Sequence, residues 1–481
     1  MSSAGKRSQL RHTVTFSITE GVYTQVYIAL ATAGTAFTTR FALLLGALPF
    51  HLGLLAAAGQ LSLVFQPFAL FITRRRTSWK KTIVRLATIG RVLALLYGLL
   101  PFLFPRYTAI WIFLLLLSIS TSMHAMSTNA WIAWMSDMVP GRIRGRFFSW
   151  RSRYLMVASL FIGYVLGAFI DLFDPKTVGL VERFITVRNV GFFSSEHISA
   201  AFVVVFVVAA AFGLLGVAIL KRQPERPKKI EEEKISSVLS KPFRDTNFRK
   251  FLGYSVWWML AAGIGSPFWL PFMIQKLHMS LVNIQVYGTI SAVASILALR
   301  PWGMMIDRFG NKAAMRLAII LGGINPLVWL FVNTHNTWIL NLEAVTSGIM
   351  WSGTNIVAMN FVLSIAPSDA RQVYSGILGA VSGTAMIITM ILSGVMLPRA
   401  VDLSVIHLEP EQVLFGLTGL ARWTANIPLS WVEEPKSKPF GALLYYIRQS
   451  AKFRIAQFVG LMAGRDEVDG EKLKSQMTNS K

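Results

Sequence analysis

The chain has 481 residues, of which 54% are hydrophobic and 15% charged, with a mean hydropathy of +0.53. Ordinary soluble domains are about a quarter charged, so a string of soluble domains is excluded in favour of a polytopic membrane protein. The formal net charge of +24 would suit a nucleic-acid binder, but the placement of the charge argues against that partner.

Taking ~20 apolar residues per crossing, the chain predicts about twelve transmembrane helices. In the first half they fall near 21–46, 51–72, 82–104, 108–136, 147–171 and 197–220. In the second half they fall near 250–276, 281–305, 314–333, 337–365, 373–397 and 412–432. Basic residues collect in alternate connections: Arg74, Arg75, Arg76, Lys80 and Lys81, then Arg142, Arg144 and Arg146, then the stretch from Lys221 to Lys250. That is the positive-inside pattern, and it predicts cytoplasmic termini in a multi-pass plasma (inner) membrane protein with no nucleic-acid partner. The basic start, Met1 to His12, precedes no small-residue cleavage site and is expected to stay on the mature protein. Without a cysteine there is no disulfide, thiol chemistry or thiolate metal site.

The expected domains are a first six-helix bundle at 1–220, a cytoplasmic linker at 221–247, a second bundle at 248–434 and a cytoplasmic tail at 435–481. The linker carries Pro224, Pro227 and the charge run Glu231-Glu232-Glu233-Lys234, which reads as a solvated spacer. The external segment from Asp171 to His197 is the longest outside loop and could fold over the outer mouth. After Pro439, Phe440, Leu444, Ile447, Ala451, Ile455, Phe458 and Met462 recur at helical spacing beside Arg448, Lys452 and Arg454. This pattern fits an amphipathic helix on the anionic inner leaflet or one packed on the cytoplasmic loops. An internal repeat pairs Val139-Pro140-Gly141-Arg142-Ile143-Arg144-Gly145-Arg146-Phe147 with Ala366-Pro367-Ser368-Asp369-Ala370-Arg371-Gln372-Val373-Tyr374, each between the fourth and fifth crossings of its half. Duplicated halves with a site at their interface are a known transporter plan.

One loop is more specific. Gly303-Met-Met-Ile-Asp307-Arg308-Phe309-Gly310-Asn311-Lys312 joins the eighth and ninth crossings. Its spacing resembles the signature loop of major facilitator superfamily transporters, G-x-x-x-D-R-x-G-N/R-K/R. Arg244-Asp245-Thr246-Asn247-Phe248-Arg249 looks like that family's junction into its second half, and the resemblance covers about residues 14–434. The first-half copy of the loop departs from the pattern: Phe71-Ile72-Thr73-Arg74-Arg75-Arg76-Thr77-Ser78-Trp79-Lys80-Lys81 keeps the positive charge and loses the acid. Gly163-x-x-x-Gly167 lacks the extended glycine–proline pattern of drug–proton antiporters, and with Gly379/Gly383 it reads as a helix-packing point.

The resemblance implies an all-α fold of two pseudo-symmetric bundles whose first, fourth, seventh and tenth helices line a central cavity. Ionisable groups inside spans are costly, so they usually face a cavity or a partner. Glu343 in the tenth helix, followed by Ser347 and Trp351, is the leading candidate for proton coupling. Glu20, with Thr24 and Tyr27 on its face, either joins the cavity or pairs with an arginine at the cytoplasmic end. His124, with Ser127, Thr128 and Trp131, either binds solute and proton or serves as a packing histidine. Trp257 and Trp258, with Tyr254, offer an aromatic wall for a solute, or else serve as interfacial anchors or plain core packing. Arg422 is expected on the bundle's outer layer, and Arg40 could lend an anion-binding charge.

For gating, the resemblance sets Asp307, with Gly303, Arg308, Gly310 and Lys312, against the helix start near Arg144, Arg146 and Arg151. The repeat adds Arg371, and Asp369 opposite Arg74–Arg76. The function implied is secondary active transport of a small organic solute by alternating access, coupled to protons, as symport or antiport, with no cofactor and as a monomer in the bilayer. A non-transporting receptor or scaffold on the same fold is the alternative. No G-x-x-x-x-G-K-S/T, H-E-x-x-H or G-x-S-x-G is present, so neither ATP hydrolysis nor enzymatic chemistry is expected.

Overall fold

The computed structural model describes residues 3–65, 78–174, 195–225, 235–367, 370–403, 406–435 and 437–449. Arg74–Arg76, most of the external loop, Glu231–Lys234, Asp369 and the tail beyond 449 lie outside the described residues.

The chain is helical almost throughout. In the first half the helices are α1 (Ser3–Ala31), α2 (Ala36–Leu44), α3 (Pro49–Val64), α4 (Trp79–Tyr97), the single turn α5 (Leu100–Leu103), α6 (Arg106–Met138), α7 (Gly141–Asp171) and α8 (Ile198–Lys221). A connecting helix α9 (Ile235–Arg244) leads into α10 (Thr246–Gly265), α11 (Trp269–Gln275), α12 (Leu281–Phe309), α13 (Asn311–Val328), α14 (Ile339–Ile365) and α15 (Arg371–Val395). The last crossing is α16 (Pro410–Thr424) followed by α17 (Asn426–Trp431), and a further helix, α18, runs over 440–449. Among the described residues, eight stretches are individually long and apolar enough to cross a bilayer, and Pro49–Val64 is a shorter apolar helix. Backbone groups in hydrocarbon must be satisfied internally, which is why crossings are helices.

Several predicted crossings are broken, among them the first and the seventh. The first divides at Gly34, whose φ is +85°, and Thr35 restarts it by accepting the Thr38 N–H at 3.2 Å. The seventh divides at Ser266-Pro267-Phe268, where proline supplies no N–H to continue α10. Glycine and proline cues inside an apolar run are hidden by a reading that counts only hydrophobic length. A short antiparallel hairpin, β1 (Val401–Leu403) and β2 (Ile406–Leu408), adds a feature absent from the expected all-α fold, with Asp402 opposite His407.

Within the first half α1 packs on α7 and α8, α4 on α6 and α8, and α3 on α6. Within the second, α12 and α13 pack on α14, α10 on α15, and α13 and α10 on α16. The halves meet chiefly along α3–α15 and α7–α12. Lipid offers little hydrophobic drive between helices, so close backbone approach at small residues matters. Gly53 and Gly394 meet in this way: a Cβ on Gly53 would lie 2.6 Å from the Met390 carbonyl oxygen, and one on Gly394 would lie 2.8 Å from that of Pro49.

The repeat aromatics occupy matching places. Phe147 on α7 is buried against Phe148 near Trp131, and Tyr374 on α15 is buried edge-on to Phe248 at 4.6 Å. Asp245 caps α10 by accepting the Phe248 N–H at 3.0 Å. α18 buries Leu443 against Phe309 and Ala313, so its described part packs on the loop between α12 and α13.

Candidate transport sites in the two halves

The second half encloses a cavity of about 150 Å³ lined by Glu343, Tyr287, Trp329, Ser347, Trp351 and Arg422, among others. Glu343 projects from α14, is 4% exposed, and accepts the Tyr287 hydroxyl from α12 at 2.8 Å. Arg422 departs from expectation: it lies inside the bundle, donating to the Gly322 carbonyl at 3.1 Å, with its guanidinium 5.6 Å from both the Trp258 and Trp351 rings. The cause is close approach of α16 to α13: a Cβ on Gly419 would lie 2.7 Å from the Gly323 carbonyl oxygen. That approach turns the Thr418–Arg422 face inward, where both residues are buried.

Trp258 lines both the margin of this region and a larger cavity of about 390 Å³ that includes Tyr254, Trp351, Asn355, Arg371, Ser375 and, from the first half, Leu63. The Trp258 and Trp351 rings meet edge to face at 6.4 Å. Trp257 does not join the wall. One residue along a helix is a rotation of ~100°, and its indole points outward to donate to Thr424 at 2.8 Å.

A further cavity, of about 180 Å³, lies within the first half between α1, α4, α6, α7 and α8. Glu20 fits both of its alternatives, lining the cavity while its carboxylate accepts from Thr24 at 2.8 Å and from Arg151 at 3.3 Å. His124, Ser127, Thr128 and Trp131 line it as one face of α6. The Arg151 guanidinium lies 4.0 Å above the Trp131 ring. Arg91 of α4 was not singled out from the sequence, although an arginine between Gly90 and Val92 in an apolar run was the available signal. Arg40 is not free for solute, since it pairs with Asp174.

Among the described residues, no hydrogen bond or ion pair joins the gating residues across the halves. Asp307 is exposed and, among the described residues, makes no ion pair. Arg144 instead donates to the Ser136 carbonyl at 2.5 Å, and Arg151 is held by Glu20 and the Ser17 carbonyl. The loop is anchored within its own half: Gly310 turns with φ +89°, and Glu434 accepts the backbone N–H groups of Asn311 at 3.0 Å and Lys312 at 2.6 Å. Arg308 stacks on Tyr446 of α18 at 4.5 Å. A Cβ on Gly141, Gly145 or Gly303 would meet no described atom within 4 Å beyond its own helix.

At the opposite face the halves are fastened together, a feature the sequence reading missed at Asp171. This carboxylate, the last residue of α7, accepts the N–H groups of Leu281 at 2.8 Å and Val282 at 2.9 Å, capping the start of α12. Tyr164 bonds Thr289 at 2.9 Å, and Gly163 lets Gln285 approach. An anion at a helix N-terminus is doubly favoured, by the orphan N–H groups and by the dipole. The contacts between α7 and α12 therefore concentrate at the face away from the basic loops.

Three kinds of likeness bear on this arrangement. A 111-residue stretch, 22% of the chain, is 26% identical to the bacillibactin exporter of Bacillus subtilis (strain 168) and spans 28% of that protein's length. The fold superposes on a crystal structure of a mutant of the nucleoside transporter NupG with a TM-score of 0.65 at 12% identity, covering 89% of this chain and 100% of that one. It also superposes on a D-xylose-proton symporter (TM-score 0.64, 14% identity, 89% and 98% covered) and on a bacterial homologue of the iron transporter ferroportin in its inward-facing state (0.61, 12%, 90% and 100%). The sequence profile of the Major Facilitator Superfamily matches residues 21–299 and 259–406. Two helical halves meeting along α3–α15 and α7–α12, polar cavities enclosed by helices, and this match together give one conclusion: the chain belongs to the major facilitator superfamily, as a membrane solute transporter and not an enzyme.

Proposed function

We propose that the protein is a secondary active transporter that moves a small organic solute by alternating access and couples that movement to protons. The observation that carries the coupling is Glu343, a buried carboxylate facing a polar cavity with Tyr287 as its hydrogen-bond donor and Arg422 in the same lining. A carboxylate so enclosed can exchange a proton when the cavity changes sides, because ionisation there depends on which neighbours and waters reach it. The alternation of basic connections supports cytoplasmic termini and an inner-membrane location. On that orientation Asp171, Tyr164 and Gly167 seal the external face, and the described conformation faces inward. The proposal divides the chain into halves at 1–220 and 248–434, a connection at 221–247 and a tail from 435.

The test is proton movement in everted vesicles during a solute screen, comparing wild type with Glu343→Gln. Loss of solute-driven proton flux in the variant, with solute exchange across the membrane retained, is the expected result. Undiminished flux in Glu343→Gln would remove Glu343 from the proton path.

A further inference from the structure

We infer that the first-half cavity seats an anionic group of the transported solute, a carboxylate or phosphate, held by Arg91 and Arg151; the inference rests on the solute-transporter reading and deepens it. The charges in this cavity do not balance. Two arginines, Arg91 and Arg151, face it with one glutamate, Glu20. Both Glu20 oxygens are already engaged, one by Thr24 and the other by Arg151. The second-half cavity differs, because there one arginine, Arg422, shares the lining with one carboxylate, Glu343.

Arg91 is the group left over. It is 2% exposed, and among the described residues it has no carboxylate within ion-pair distance. Its one hydrogen bond goes to the Ala87 carbonyl of its own helix at 3.1 Å, and its Nε has no partner. The Tyr27 ring lies 4.8 Å from the guanidinium and offers only its π face. A buried cation without an anion is costly, and a planar fork with open N–H groups matches a carboxylate or phosphate bidentately. His124 and Trp131 supply further unpartnered ring nitrogens in the same lining, with Thr128 beside them.

The backbone is shaped around these arginines. A Cβ on Gly213 would lie 2.6 Å from the Arg91 Cγ, and one on Gly21 would lie 2.7 Å from the Arg151 Nη2. Gly216 clears Thr24 in the same manner, at 2.8 Å from its hydroxyl. Ile28, Ile132, Phe148 and Leu155 give the cavity apolar sides for the uncharged part of a ligand.

The experiment uses the full chain in lipid nanodiscs and reads thermal unfolding with sodium benzoate, with inorganic phosphate, and with benzamide and sodium chloride as neutral and ionic-strength controls. The expected result is a saturable rise in Tm with benzoate or phosphate, absent with both controls and weakened at least tenfold in Arg91→Gln, with partial recovery in Arg91→Lys. Should Arg91→Gln not fold, Arg151→Gln takes its place with the same expectation. No saturable rise in wild type, or an equal rise in the arginine variants, overturns the assignment. Nanodiscs of anionic lipid separate the two sources of such a group. If they abolish the benzoate effect, a lipid headgroup fills the site and the solute assignment falls. Proton flux without anion binding would leave the transporter standing and sink this inference, whereas anion binding without proton flux would support the anion site and count against proton coupling.

Discussion

A charged side chain placed among apolar helices must find a partner in the protein, and the residues of this chain show how different those partners are. Arg422 lies between two tryptophan rings and a carbonyl, whereas Arg40 takes a carboxylate. At the exposed hairpin, His407 bonds Asp402, and that hydrogen bond, followed by the charge attraction, raises the imidazole above its ordinary pKa of 6.5. The pair's contribution is thus fully present below the unfolded value and fades as pH rises through the raised one. His407 ring signals followed by NMR should titrate above the free-histidine range and fall back in Asp402→Asn; an unchanged midpoint would rule the pair out. Glycine contacts give a second residue-scale expectation. A Cβ on Gly348 would collide with the Ser291 carbonyl of α12, a backbone atom that cannot rotate away, whereas a Cβ on Gly253 in α10 would meet no described atom within 4 Å beyond its own helix. Gly348→Ala should cost about 1–3 kcal/mol by overpacking. Gly253→Ala should be neutral or gain up to about 1 kcal/mol of helix propensity. Thermal unfolding of the two variants in one detergent compares them directly.

Helices α7 and α12 carry the clearest device at the scale of elements. Asp171 serves as the cap of a helix in the other half, so opening that face must uncap Leu281 and Val282. Loss of a capping carboxylate typically costs ~0.5–2 kcal/mol, enough to shift a conformational equilibrium several-fold. Asp171→Ala should therefore populate the state open at this face. Because the chain has no cysteine of its own, spin labels can be placed at Leu48 and Met396, both exposed near the ends of α3 and α15. The distance between them should lengthen in the variant, and an unaltered distribution would mean that Gly53 and Gly394 hold the face closed by themselves. The helical character of the crossings was legible in the sequence, since hydrophobic length alone marks them. The capping partnership was not: Asp171 reads as a loop acid until α12 is seen to start beside it. The breaks at Gly34 and Ser266-Pro267 were written in the chain, but only as local cues within runs that still look continuous.

At the scale of the whole molecule, two halves that touch along α3–α15 and α7–α12 can rock only if contacts at one face are exchanged for contacts at the other. Among the described residues Asp307 is exposed and makes no ion pair, and a Cβ at Gly141 or Gly145 at the start of α7 would meet no atom within 4 Å beyond its own helix. Closure of the basic face should bring Asp307 to that helix start, where dipole and ion pairing supply roughly 1 kcal/mol each. Labels at Gly145 and Met304 should then show a shorter-distance population in Asp171→Ala, diminished when Asp307→Asn is added. A short population that survives Asp307→Asn would remove this acid from the gate.

The sequence by itself determined that the chain crosses a membrane many times, that it is duplicated, which of its faces is basic, and which family its signature loop resembles. These properties follow from composition, spacing and charge order, which need no knowledge of what touches what. Only the tertiary structure decided that Arg422 faces inward, that Trp257 turns away while Trp258 lines the larger cavity, and that Arg91 is buried without a counter-charge among the described residues. On a helix buried on several sides, periodicity says which residues share a face but not which neighbour that face meets. That choice is made by close approaches such as Gly419 on Gly323 and Gly213 on Arg91, and these exist only once the helices are assembled.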